Sequence, residues 1–187
     1  PEDRTTEAFY RLNRAENWRD FGDALKNFQA PQANFFFADT KGDIGFMSPG
    51  LVPVRNRGFG WVPSPGWNGE TDWTGYLSFD QIPVALNPSS GRIVNANNRI
   101  TPKGYPHFIS YDWAPAYRAR RIIELLDKKQ QAVRSTTQIQ RDHVSEMAKR
   151  LLPLMTDIEL ADARGRRALA MLGKWDGAMS RARPEPL

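Results

Sequence analysis

Cysteine is absent from the 187 residues. That excludes disulfides, thiolate nucleophiles and cysteine–zinc sites. Histidine is nearly absent: His107 and His143 stand far apart, without metal-ligand spacing. No apolar run is long enough to span a membrane, and no signal-peptide pattern is visible. There is no phosphate-binding loop, and Gly58-Phe59-Gly60 is too short for a dinucleotide fingerprint. No nucleophile-elbow motif supports a Ser-His-Asp triad. Charge of one sign does not dominate either. The net of +5, from 26 basic and 21 acidic residues, is spread along the chain, so no nucleic-acid partner is expected. The densest basic runs, Arg118, Arg120, Arg121 and Arg164, Arg166, Arg167, fall in helical patterns. Most of these arginines read as solvated helix faces. The chain opens on Pro1 without methionine, so its first residue is not expected to be a translation start.

What is present is globular: 40% hydrophobic, 11% aromatic and 25% charged residues. Residues 5–28 read as two helices. Thr5 or Thr6 suits the first cap, with Phe9, Leu12 and Ala15 on one face; Asn17 suits the second, with Trp18, Phe21, Leu25 and Phe28 at spacings of three and four. Pro31 closes them. Phe35–Phe37 and Ile44–Met47 read as strands around the turn Asp39-Thr40-Lys41-Gly42-Asp43, and the unbroken aromatic run predicts burial on both faces. Arg92–Arg99 reads as a strand with a polar end. From Pro115 onward the chain reads as helical: Tyr117, Ile122, Leu125 and Leu126 share a face. Ser135 or Thr136 then caps a helix carrying Ile139, His143, Met147 and Leu151, which Pro153 interrupts. A last helix runs over residues 157–174. The expected division is 1–114, a helix pair with strands and loops, and 115–187, a helical portion of the same domain.

Residues 48–90 hold much of the proline and glycine together with Trp61, Trp67 and Trp73. Such a stretch does not stay regular for long. It is too aromatic for a flexible linker, and its tryptophans are expected to bury apolar area and fasten the loop down. The most unusual local sequence is Asn95-Ala96-Asn97-Asn98-Arg99, with three amides in four positions. Asparagine tolerates left-handed backbone and bonds its own chain, so turn formation is one reading. The other is an amide NH2 directed at an oxyanion formed during acyl transfer.

Six segments in order carry a resemblance. They are Asn34-Phe35-Phe36-Phe37-Ala38-Asp39 through Ile44-Gly45-Phe46, Val62-Pro63-Ser64-Pro65-Gly66, Asp72-Trp73-Thr74-Gly75, Asn87-Pro88-Ser89-Ser90-Gly91-Arg92-Ile93, Asn95-Ala96-Asn97-Asn98 and Trp175-Asp176-Gly177. Over about residues 7–177 the chain resembles the penicillin acylase family of N-terminal-nucleophile hydrolases. The resemblance implies an α+β fold, part of an αββα sandwich with a few antiparallel strands, the long aromatic loop and a helical C-terminal portion. It implies hydrolysis of linear N-acyl amides in a bacterial periplasmic or secreted enzyme. A serine exposed by self-cleavage attacks, with its own α-amine as base. An α-amine suits that work because its pKa lies near neutrality.

Residue by residue, Asn97 matches the family's oxyanion asparagine and Arg118 its active-site arginine; an alignment anchored on Tyr105-Pro106 moves the latter to Arg120. Ala33 and Phe9, or Tyr10 beside it, match acyl-pocket walls. Ala33 stands where a larger aliphatic residue is usual, which enlarges the pocket and leaves a long acyl chain as open as phenylacetyl. The family often binds calcium nearby, through a backbone carbonyl matched by Gly60 and a carboxylate after the oxyanion asparagine. The latter position falls at His107 or Ile109, neither of them an acid, and Asp112 reaches it only through a gap. No cofactor is therefore expected. The chain reads as an internal piece of the large subunit, without its serine, inactive alone, partnered by the remaining segments of the acylase or by a second copy. The rival reading is a non-catalytic binding or structural module built on the aromatic loop.

Overall fold

Asn17 starts a helix because its side-chain oxygen accepts the Asp20 N–H at 3.0 Å, satisfying an amide that has no partner within the helix. This is α2 (Trp18–Leu25); it follows α1 (Thr5–Leu12). α1 is not capped by Thr5 or Thr6. Thr5 lies inside the helix, where its hydroxyl accepts the N–H groups of Gln29 and Ala30, while Asp3 accepts the Thr5 N–H. The threonine thus ties the helix to the segment that leaves α2. The computed structural model describes residues 2–127, 131–156 and 158–186. These fall into two compact units: residues up to Ile93 together with Ile100–Asp112, and Val94–Arg99 together with Trp113 onward.

In the first unit Ala8, Phe21, Leu25, Phe28, Met47 and Ile82 form the core. The hairpin forms as the turn chemistry predicts. Asp39 Oδ1 accepts the N–H groups of Lys41 and Asp43, and Gly42 takes a φ of +96° that side-chain-bearing residues avoid. Strands β1 (Phe35–Ala38) and β2 (Ile44–Met47) pair antiparallel, and β5 (Val84–Leu86) adds to β2. Alternate side chains leave opposite faces. Phe35 and Phe37 meet the helices, with ring centroids 4.9 Å from Phe28 and 5.4 Å from Phe21. Phe36 points the other way, onto Phe46, and stays half exposed. Burial on both faces is therefore not observed, because the described helices cover one face alone.

A second sheet joins β3 (Pro53–Arg55) to β4 (Trp73–Tyr76), with a register shift at Val54/Arg55. The tryptophans of this stretch do not bury themselves: Trp61, Trp67 and Trp73 are 67%, 88% and 58% exposed. Residues 92–99 form no strand. Asn95 and Asn98 bond the local backbone instead, in competition with any ladder.

The second unit holds α3 (Tyr117–Asp127), α4 (Val133–Gln140), α5 (Glu146–Thr156) and α6 (Ala163–Leu172). The single helix expected through Ile139 and Leu151 is two. It breaks where Val144 bridges antiparallel to Ala178, and Ser145 Oγ accepts the Ala148 N–H as α5 begins. Ser135 sits within α4, its hydroxyl accepting the Ala132 N–H. Pro153 lies inside α5 rather than ending it. Asp162 caps α6 by accepting the Gly165 N–H at 2.6 Å; Asp157, where the sequence reading starts this helix, lies outside the described residues. Trp175-Asp176-Gly177 is the turn that returns the chain to α5. Trp175 Nε1 donates to the Ala178 carbonyl, and Gly177, at φ +82°, presents its carbonyl to the Ser145 N–H at 2.8 Å. Helices and small antiparallel sheets make the chain α+β. Among the described residues no helix is long and apolar enough to cross a membrane.

One close approach sets the helix–sheet distance. A Cβ on Gly45 would fall inside the Trp18 ring. That ring packs against Phe21 and Phe37, at 5.6 Å from each, so it must shift out of both contacts to make room. Gly45→Ala is expected to lose about 1–3 kcal/mol, read as a lower urea midpoint with an unchanged slope; an unchanged midpoint refutes this account of the packing.

Candidate active-site segment

Asn97 is one of two non-glycine residues with positive φ, at +63°, among those described. Its neighbours hold it there. Asn95 Oδ1 accepts the Asn97 N–H, Asn98 Oδ1 accepts the Ala96 N–H at 2.9 Å, and Asn95 Nδ2 donates to the Asn98 carbonyl. The Asn97 carbonyl accepts the Ala114 N–H at 2.9 Å. Asn95 and Asn98 thus spend their side chains on the turn. The Asn97 side chain leaves it and meets α3: Arg118 Nη2 donates to Asn97 Oδ1 at 2.7 Å and to the Ala96 carbonyl at 3.0 Å.

This contact fixes the sense of the amide. A guanidinium has donors and no acceptor, so the asparagine oxygen must face it. Nδ2 then faces away and carries no hydrogen bond among the described residues. Of the two candidate arginines, Arg118 reaches Asn97, whereas Arg120 lies over the Tyr117 ring, 5.6 Å from its centroid.

One turn along α3, Arg121 makes a two-pronged pair with Asp142, at 2.9 and 2.7 Å, and a third bond to Glu124 at 2.8 Å. The basic run had read as solvent-facing, and for Arg121 this is corrected: its side chain is 16% exposed and that of Asp142 18%. No sequence signal links residues so far apart on separate elements. The Arg121 hydrogen bonds hold the Asp142 carboxyl below its ordinary pKa, and Asp142 in turn raises that of Arg121. Arg118 and Arg121 both border a cavity of about 550 Å³ whose apolar wall includes Ile122, Leu125, Ile139 and Met147.

Phe9 and Ala33 belong to the first unit. Phe9 is 49% exposed and packs edge-on against Phe28, centroids 5.8 Å apart, and beside Phe35. Ala33 packs, half-buried, against the same core. Tyr10 is exposed with Arg14 over its ring. Neither histidine hydrogen-bonds a hydroxyl among the described residues: His143 Nδ1 lies 3.1 Å from the Arg141 carbonyl, and His107 packs edge-on to Tyr105.

The calcium positions meet a plain test. Gly60, Ile109 and Asp112 do border one cavity, but Asp112 is its single carboxylate and Arg55 is there too. Calcium takes six to eight oxygens; this chain brings one carboxylate to that cavity, and no three acidic or histidine side chains converge among the described residues.

Comparison with known proteins gives these features a family. The penicillin amidase family model matches residues 1–187. An acyl-homoserine lactone acylase, QuiP, of Pseudomonas syringae pv. tomato is 37% identical over 150 residues, covering 80% of this chain and 18% of that protein. A penicillin acylase 2 proenzyme of a Pseudomonas species is 35% identical over 162 residues, covering 84% of this chain and 20% of the other. Among solved structures, a thermostable penicillin G acylase from Alcaligenes faecalis superposes with a TM-score of 0.74 at 27% identity, over 94% of this chain and 32% of that one. The chain therefore belongs to the penicillin amidase family. It spans about a fifth of the length of the curated relatives it matches.

The Arg121–Asp142 pair makes the second unit acid-sensitive in a defined sense. Because the folded pKa of Asp142 lies below its unfolded value, the stability it contributes is complete at neutral pH and is lost as pH falls through the folded value. Asp142→Asn is expected to cost about 1.5–3 kcal/mol at pH 7 and to flatten the loss of helix signal as pH falls below the ordinary carboxylate range. Parallel acid titrations of the two proteins by circular dichroism would contradict this.

Proposed function

We propose that this chain is the oxyanion-supporting segment of an amide hydrolase that cleaves linear N-acyl bonds, within an αββα N-terminal-nucleophile framework. The observation that carries the reading is the Arg118–Asn97 contact of 2.7 Å, which leaves the amide NH2 of a left-handed residue as the outward-facing donor. An enzyme gains rate from donors already aimed where charge will develop, because no reorganisation is needed during the reaction. Here the aim is set twice, by the backbone turn and by the guanidinium behind it. The guanidinium charge also polarises the amide, making its N–H a stronger donor.

In this reading a serine supplied elsewhere in the protein attacks the amide carbonyl and passes its proton to its α-amine. The carbonyl oxygen takes up negative charge and receives the hydrogen bond from Asn97 Nδ2. The C–N bond breaks, the amine departs with the proton, and water then releases the acid from the acyl-enzyme. Arg118 touches no reacting atom in this scheme; it positions Asn97. The aromatic cluster at Phe9, with Ala33 beside it, supports a role for these residues as one wall for the acyl group, wide enough for an alkyl chain. The names of the relatives, acyl-homoserine lactone acylase and penicillin acylase, agree with that substrate class.

In the whole acylase that carries this segment, Asn97→Ala is expected to lower kcat about 10²–10³-fold with little change in KM. Arg118→Ala is expected to lower it by about 10²-fold, with part of the rate returning in Arg118→Lys. Unchanged kcat in both alanine variants favours the binding-module reading, in which the exposed Trp61, Trp67 and Trp73 are the working surface. The purified chain alone is expected to release no phenylacetate or fatty acid from amide substrates above a blank.

A further inference from the structure

Arg55 ends β3 at a register shift and is half-buried. Some cations of this chain have an acidic partner: Arg121 has two, and Arg57, two residues beyond Arg55, approaches Glu70 at 3.6 Å. Arg55 has none among the described residues. It is nevertheless held in place. Its guanidinium lies over Trp73, 5.5 Å from the ring centroid. On the other side it presses on Gly60, where a Cβ would come within 2.6 Å of its nitrogens. Gly60 has φ +72° as well, so both its conformation and the guanidinium beside it require glycine.

This seated, unpaired guanidinium opens onto a cavity of about 540 Å³, a size usual for small-ligand sites. The wall is aromatic and internally packed: Phe59 lies 4.7 Å from Phe108, Phe108 4.7 Å from Tyr111, and Trp61 stacks on Tyr111 at 4.1 Å. Trp61 is largely and Tyr111 half exposed, so these rings pack on one another and leave the cavity open to solvent. Asp112 stands at the same cavity, solvent-exposed. The geometry points to a binding site for a small amphipathic monocarboxylate, its ring or alkyl body against Phe59, Trp61 and Phe108 and its carboxylate on Arg55. A carboxylate matches the planar fork of a guanidinium. Apolar walls favour an organic acid over a bare inorganic anion, and Asp112 disfavours dianions. Neither Asn97 nor Arg118 borders this cavity, so the inference stands apart from the reading of the oxyanion donor.

Isothermal titration of the chain with phenylacetate and octanoate, each against its neutral amide, tests it. Saturable binding is expected, at least tenfold tighter for the acids. Arg55→Ala is expected to remove that preference, Asp112→Asn to tighten the acids severalfold, and Asn97→Ala to leave every titration unmoved. If Arg55→Ala unfolds, Arg55→Lys serves: it keeps the charge, loses the fork, and is expected to weaken the acids while sparing the amides. Equal binding of acid and amide, absence of saturation, or acid binding indifferent to both Arg55 variants overturns the proposal.

Discussion

A guanidinium can only donate, and that restriction organises the turn at Asn95–Asn98. The Asn95–Asn98 turn is rich in groups that could bond in several ways. Asn95 and Asn98 close on the turn itself. Arg118, arriving from α3, accepts nothing and therefore selects oxygens: the Ala96 carbonyl and Asn97 Oδ1. One amide is thereby drawn out of a polar turn and given a single sense. The helix that carries Arg118 is itself anchored one turn later by Arg121 to Asp142. Holding an arginine one turn from a second, acid-paired arginine keeps its reach short and its direction constant.

Elsewhere, apolar contact does the ordering. In the first unit the sheet and the helix pair meet through Phe21, Phe28, Phe35, Phe37 and Trp18, rings that interlock edge to face. Gly45 lets the strand come up against the Trp18 ring. The aromatic loop follows a different logic. Its tryptophans remain largely exposed, and its order comes from stacking of ring on ring and of Arg55 on Trp73.

Features settled by neighbours in sequence were readable in advance. The Asn17 cap, the Asp39–Asp43 turn and the hairpin are local bargains between a side chain and the next few amides, and each formed as its residues indicate. Features settled by distant partners were not. The break between α4 and α5 depends on Ala178, far downstream. Thr5 leaves its capping role because Gln29 and Ala30 offer it donors. Arg92–Arg99 has strand-forming residues at its start, but its amides outcompete a ladder. The same division holds for the site. The residue chemistry of Asn97 suggested a turn as readily as a donor, and only the family resemblance paired it with Arg118. The Arg121–Asp142 pair and the seat of Arg55 carry no local signature, since each joins residues whose proximity the tertiary fold creates.

The Val144–Ala178 bridge does more than end a helix. It closes α5 and α6 into a loop knotted at its base, with Ser145 bonded to Gly177 and Met179 bonded back to His143. A hairpin of helices tied at its mouth is held there by these bonds against fraying. Its opening is then a single event, with the chain entropy of the whole loop released at once. The two helices behave as one latch, and whatever loosens the turn at Trp175-Asp176-Gly177 loosens both.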